Sequence, residues 1–211
     1  MKNLFKICFA AFFVFAFTLS VANAEKTNWE DKTYNFKRAQ KVVVYNFTNR
    51  DTAEFNDDIM IQVIKDEFWK QAKNFHNYTV IEGQGTPDPG KPIEGADLYI
   101  ITDLVNWHDD SYTRPGYTSW ETRHEKRRVH RSDGSSYDED YSYSVPVHHP
   151  PTTVYTSSVR VKFNVFDAKT GKRVYARDDN RDRDDRHAQQ GMFGRIVHSF
   201  FEDFNSKLSK D

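Results

Sequence analysis

The ten residues "DDNRDRDDRH", 178–187, are the densest run of side chains able to do chemistry. Carboxylates in series can hold a hard cation, and Asp178, Asn180 and Asp182 stand at the first three ligand spacings of a calcium loop. The pattern then fails. Arg183 occupies the position that needs a glycine for the sharp turn, and Gln189 the position of the bidentate glutamate. A nucleic-acid patch fails as well, because Arg177–Arg186 sets four arginines against five aspartates. The run therefore reads as a solvated connection, with Asp184 or Asp185 capping a last helix.

Other catalytic patterns are absent. The chain has one cysteine, Cys8, so thiol nucleophiles, disulfides and thiolate metal sites are excluded beyond it. His148 and His149 are adjacent and point to opposite faces of a strand, and His108 and His124 lack the short fixed spacings that zinc prefers. No metal and no cofactor is expected. Gly83-x-Gly85 lacks a third glycine, and Pro87 and Pro89 oppose a helix start, so it is not a phosphate loop. No serine elbow occurs, and no catalytic residue is assigned. "WHDD", 107–110, is the one place where His and Asp cluster. It supports the alternative reading, a small secreted hydrolase using His and Asp residues around 107–124.

The stretch from Thr118 to His149 is the more informative one. Asp133-Gly134 is a strong two-residue hairpin signal. Setting Ser132 opposite Ser135 places Arg128 against Glu139 and Arg127 against Asp140, so a basic strand faces an acidic one. The same register puts Trp120, His124, Tyr137, Tyr141, Tyr143, Val145 and Val147 on one face. Aromatic anchors dominate interface energies, so Trp120, Tyr141 and Tyr143 are the expected partner-binding residues.

The elements around this hairpin follow from periodicity. "KVVVYNF", 41–47, is a β-branched run and reads as a buried strand. A helix to about Lys73 carries Ile61, Ile64, Phe68 and Ala72 as a stripe, widened by Met60 and Val63. "YTVI", 78–81, gives a second strand and so a right-handed crossover. A Gly/Pro loop at 83–95 precedes a third strand, 96–107. Val159, Val161, Phe163 and Val165 alternate with Arg160, Lys162 and Asn164, as in a half-buried strand. "DAKTGK", with Gly171 in the left-handed position, turns this strand onto "RVYAR". A final helix, 187–208, shows an apolar face of Phe193, Ile196, Val197, Phe200, Phe201 and Phe204. The expected fold is α+β: an antiparallel or mixed sheet of about five strands, two helices on one face and a long hairpin insertion at about 108–152.

The chain has 211 residues. Lys2 and Lys6, an apolar run to about Leu19 and Ala22-Asn23-Ala24 read as a signal peptide over 1–24. The apolar run is too short for a comfortable membrane span of about 20 residues, so no span is expected after cleavage. Lys2 and Lys6 lie in that segment, which leaves 28 basic against 31 acidic residues and no pull toward nucleic acid. Residues 25–40 read as a polar arm, and 41–211 as a single domain, extracytoplasmic and either periplasmic or secreted.

"KVVVYNF", "GADLYIITDLV" and "VFDAKTGKRVYAR", in this order over 41–208, resemble small bacterial envelope domains. The types concerned are the TolB amino-terminal domain, the curli-secretion subunit and the lipoproteins that activate penicillin-binding proteins. The resemblance implies a non-enzymatic binding or assembly module that docks on a protein partner of the cell envelope.

Overall fold

The computed structural model describes residues 23–75 and 77–209. Residues 1–22, most of the segment read as a signal peptide, lie outside the described residues. The described residues form two compact units, one running to Asp110 and resuming at Tyr155, the other Ser111–Val154.

The first unit is α+β with a mixed sheet. In chain order its elements are β1 (Asn23–Glu30), a 3-10 turn (Phe36–Arg38), β2 (Lys41–Val44), β3 (Thr48–Asn49), α1 (Asp58–Ala72), β4 (Thr79–Glu82) and β5 (Leu98–Arg114); β8 (Thr152–Asp167), β9 (Arg173–Arg183) and α2 (Gln189–Leu208) follow after β6 (Tyr117–His130) and β7 (Ser136–His149) of the second unit, which also takes in the last four residues of β5 and the first three of β8. The sheet order is β1-β9-β8-β5-β2-β4, with β3 also paired to β5. Seven strands replace the expected five. β2 runs parallel to β4 and β5, whereas β9 runs antiparallel to β1 and β8.

Local chemistry explains the helices. The Asp57 carboxylate accepts the N–H groups of Ile59 and Met60, both at 3.0 Å, and caps α1. Ile64, Phe68 and Ala72, spaced four apart, are fully buried; Met60 and Ile61 are half-buried, while Val63 stays exposed at the edge of the stripe. All six apolar residues expected of α2 are buried, joined by Met192 and Leu208. Both helices pack on one sheet face in one cluster with Val42, Val44, Leu98, Ile100, Leu104 and the inward residues of β8. Phe163 and Phe200 stack at 3.9 Å between centroids at its centre. The opposite face carries a smaller cluster of Val43, Tyr99, Ile101, Phe166 and Ala168, packed against Ile93 and Ala96 of the Gly/Pro loop.

Three expectations are corrected here. The polar stretch taken as an arm begins with an edge strand, β1, which pairs with β9 along all eight of its residues. Most of the charged run is not a solvated connection, because β9 continues through it to Arg183; only residues 184–187 form an exposed turn before α2. Alternate residues there turn inward beneath α2, and Arg177 and Asp179 are 1% and 0% exposed. Arg177 donates to the Asp179 carboxylate (2.9 Å), to Asp203 (3.0 Å), and to the carbonyl and hydroxyl oxygens of Ser199 (2.9 and 2.7 Å). Arg181 reaches the same Asp179 carboxylate at 3.0 Å. Burial is tolerated because these charges neutralise one another. Finally, neither Asp184 nor Asp185 caps α2. Its first residue follows Ala188, which has no side-chain cap, and the Ala188 N–H is taken by the Ser157 hydroxyl at 3.2 Å.

Candidate functional site

The second unit is built around the hairpin of β6 (Tyr117–His130) and β7 (Ser136–His149), antiparallel along all fourteen residues of each strand. Its turn differs from the expected one. The Gly134 N–H bonds the Arg131 carbonyl at 3.1 Å, and the Arg131 N–H bonds the Ser135 carbonyl at 2.8 Å. Gly134 sits at φ +84°, and the Asp133 carboxylate accepts both the N–H and the hydroxyl of Ser135. This is a three-residue loop, a type I turn closed by a left-handed glycine bulge, and not a two-residue turn.

The extra residue slips the register by one. Arg127 faces Glu139 and Arg128 faces Asp138, with side-chain contacts of 2.9 and 3.1 Å. A one-residue slip exchanges the faces of one strand relative to the other. Trp120 therefore lies opposite Pro146 and His124 opposite Ser142, on one face. Tyr137, Tyr141, Tyr143, Val145 and Val147 lie on the other, with Val129, Glu125 and Arg123. The expectation that Trp120 shares a face with Tyr141 and Tyr143 is overturned.

The two faces differ in chemistry. On the tyrosine face, Tyr141 and Tyr143 stack at 5.6 Å, the Arg127 guanidinium lies 5.5 Å over Tyr141, and Arg131 lies 4.9 Å over Tyr137. The Tyr143 hydroxyl donates to Glu125 at 2.5 Å, and this bond raises its pKa. On the other face, the hydroxyls of Thr118 and Ser142 lie 2.9 and 2.8 Å from His148 and His124. Trp120, 67% exposed, stands among these polar groups. No residue of 111–154 is buried, and Tyr112, Tyr117, Trp120, Tyr137 and Tyr141 are all exposed.

A second arrangement sits in the first unit, where the hydrolase alternative placed its chemistry. A cleft of about 500 Å³ is lined by Glu54, Trp107, His108, Asp109, His187 and Gln189 among others. His187 holds a left-handed backbone, φ 58°, which is uncommon for a side-chain-bearing residue. Its Nδ1 lies 3.0 Å from Asp109 Oδ2, and the Ser157 hydroxyl lies 2.6 Å from Asp109 Oδ1. Burial pushes the Asp109 carboxyl up, but hydrogen bonds from Ser157, Gln189 and His187 outweigh it and hold the pKa below the usual value. The order is Ser–Asp–His. A serine nucleophile needs the histidine beside the hydroxyl, with the carboxylate behind it. Here the carboxylate stands between them, is a weakened base, and bonds a serine that is 1% exposed. His108 pairs instead with Glu54 at 3.3 Å. The cluster ties α2 to the sheet and does not assemble a nucleophile. Among the described residues no three His, Cys, Asp or Glu side chains converge as metal ligands.

No protein-family model matches the chain, and no curated protein matches it. Solved structures do. A PelC dodecamer from Paraburkholderia phytofirmans aligns in two crystal forms at 10% identity with TM-scores of 0.47 and 0.46, over 87% of this chain and 98% of that one. A PDZ domain protein from Parabacteroides distasonis aligns at 9% identity and TM-score 0.39, over 95% of this chain and 40% of that one.

Proposed function

We propose that the protein is an exported, non-enzymatic binding module of the cell envelope that docks on a protein partner through hairpin β6–β7. The observation that carries this reading is the state of the hairpin. It has fourteen-residue strands, five exposed aromatic side chains within its unit and no buried residue. A two-stranded ribbon without a hydrophobic core is at best marginally stable in water. Its outer strand edges have no partner among the described residues, and such edges are templates for pairing with another chain. A partner that covers the tyrosine face or pairs an edge supplies the missing burial. Trp120, Tyr141 and Tyr143 remain the proposed anchors, now as two contact faces: Trp120 on one, the tyrosine pair on the other.

The resemblance to envelope accessory domains and the tripartite amino-terminal segment support export. No helix among the described residues is long and apolar enough to cross a membrane. Export is tested by sequencing the amino terminus of the native protein, which is expected to begin at Glu25; retention of Met1 would overturn it. Docking is tested by affinity capture from envelope extract with three proteins: the native chain, a form with 111–154 replaced by a short Gly/Ser link, and Trp120→Ala. The partner captured by the native chain is expected to be lost with the deletion and weakened with Trp120→Ala. Retention of the same partner by a folded deletion would place the docking surface elsewhere.

A further inference from the structure

The sheet face away from the helices carries a second cleft, of about 550 Å³. Its floor is apolar: Ile101 and Phe166, 6% and 7% exposed. Pro87 and Pro89 of the Gly/Pro loop form one wall, and Arg50 and Arg173 stand among its lining residues.

The walls are built in advance. The Tyr99 hydroxyl donates to the Lys91 carbonyl at 2.9 Å and accepts the Gly90 N–H at 3.2 Å, while the Ile93 N–H bonds the Ala168 carbonyl at 2.8 Å. Tyr99 also stacks on Phe166 at 4.9 Å. The loop backbone touches the β8–β9 turn so closely that a Cβ on Gly171 would lie 2.1 Å from the Gly90 carbonyl oxygen. A preformed apolar cleft with a few convergent polar groups is the usual form of a small-ligand site, because little ordering is left to be done on binding.

The charges decide what such a ligand carries. Arg50 commits its Nε to Asp103 at 2.8 Å, so that pair is close to neutral. Arg173 has no carboxylate partner among the described residues. Its guanidinium lies 5.2 Å over the ring of Trp29, with one long contact of 3.5 Å to the Asn164 side-chain oxygen. A stacked guanidinium keeps its in-plane N–H groups available for a planar carboxylate. The cleft thus offers an apolar floor and an unneutralised arginine.

We propose that this cleft binds an amphipathic carboxylate, its apolar body on Ile101 and Phe166 and its carboxylate on Arg173, with Arg50 as the second donor. Two sources share that chemistry, a small organic acid and the carboxyl terminus of a peptide. Calorimetric titration of the protein separates them, using 4-phenylbutyrate and its amide in one arm and a tetrapeptide ending in phenylalanine, free and amidated, in the other. The acid form is expected to bind saturably and the amide about tenfold more weakly or less, as a charge-assisted bidentate pair requires. Arg173→Gln is expected to weaken the acid to the level of its amide, and Arg50→Gln by a smaller factor. Both side chains are exposed, so the variants keep the fold. Trp120→Ala, on the hairpin, leaves this binding unchanged and so separates it from docking. Saturation by the peptide acid alone assigns the site to a chain terminus, whereas saturation by phenylbutyrate assigns it to small acids. Equal binding of acid and amide, no saturation by either acid at about 10 mM, where only affinities weaker than about 3 kcal/mol remain, or insensitivity to Arg173→Gln would overturn the proposal.

Discussion

Arg177 and Asp179 are the residues whose environment departs furthest from their types. Each is closed off from water, and each is kept there by the other. The asymmetry of a buried pair gives a prediction. Asp179→Ala leaves a buried guanidinium without its nearest carboxylate and is expected to destabilise the fold by about 3–5 kcal/mol in urea unfolding. The joint replacement Arg177→Met with Asp179→Leu removes both charges and is expected to cost far less. Asp31 gives a second case at the surface. Lys172 and the side chain and N–H of Thr33 bond its carboxylate and lower its pKa to about 2 from 3.8. A depressed carboxylate stabilises the fold above the unfolded value and loses that contribution as pH falls toward about 2. Lys172→Ala is expected to raise the Asp31 midpoint, by NMR titration, part of the way back, because Thr33 stays in place.

Among the elements, those with one apolar period were legible. The stripe of α1, the phenylalanines of α2 and the alternation in β8 each encode a face; those of α2 and β8 are buried as their periods require, and that of α1 at Ile64, Phe68 and Ala72. β3 was not read from the sequence at all, and two further stretches were not legible for one shared reason. β1 and the outer half of β9 are stabilised by backbone pairing and by charge neutralisation, which leave no apolar period to read. The hairpin was legible in extent but not in register, because Asp-Gly serves equally a two-residue turn and a three-residue loop with a bulge. That single residue decided which faces Trp120 and Tyr141 occupy. Glycines at two elements give opposed predictions. In α2, a Cβ on Gly194 would meet Glu67 only at ordinary contact, 3.5 Å, so Gly194→Ala is expected to stabilise by up to about 1 kcal/mol through helix propensity. Gly171, at φ +70° and against the Gly90 carbonyl, admits no Cβ, and Gly171→Ala is expected to destabilise and to open the carboxylate cleft. Thermal unfolding of the two variants shows opposite shifts.

For the whole molecule, the division into two units predicts independent behaviour. Replacing 111–154 by a short link leaves every residue of the helix-side cluster in place. The far-ultraviolet spectrum is then expected to lose strand signal alone, with the thermal transition retained, since exposed pairs such as Arg127–Glu139 contribute only about 0–1 kcal/mol. Collapse of that variant would show that the hairpin belongs to the folding core. The two proposed surfaces were only half visible in the sequence. The hairpin announced itself by composition, but the carboxylate cleft is assembled from Arg50, Ile101, Phe166 and Arg173, which no local pattern connects and only the sheet order brings together.

The position of β1 in that order also sets a timetable. Trp29 pairs with Ala176, so among the described residues β1 has its one strand neighbour about 150 residues later, a closure that loop entropy makes slow. At a synthesis rate of about 5–20 residues per second, β1 waits on the order of ten seconds after leaving the ribosome before its template exists. During that wait the leading residues stay extended and accessible to whatever machinery handles the nascent chain. Completion of the sheet is thereby deferred to the last moments of translation. A chain truncated before Arg173 is accordingly expected to leave residues 25–30 open to protease, whereas the full chain protects them.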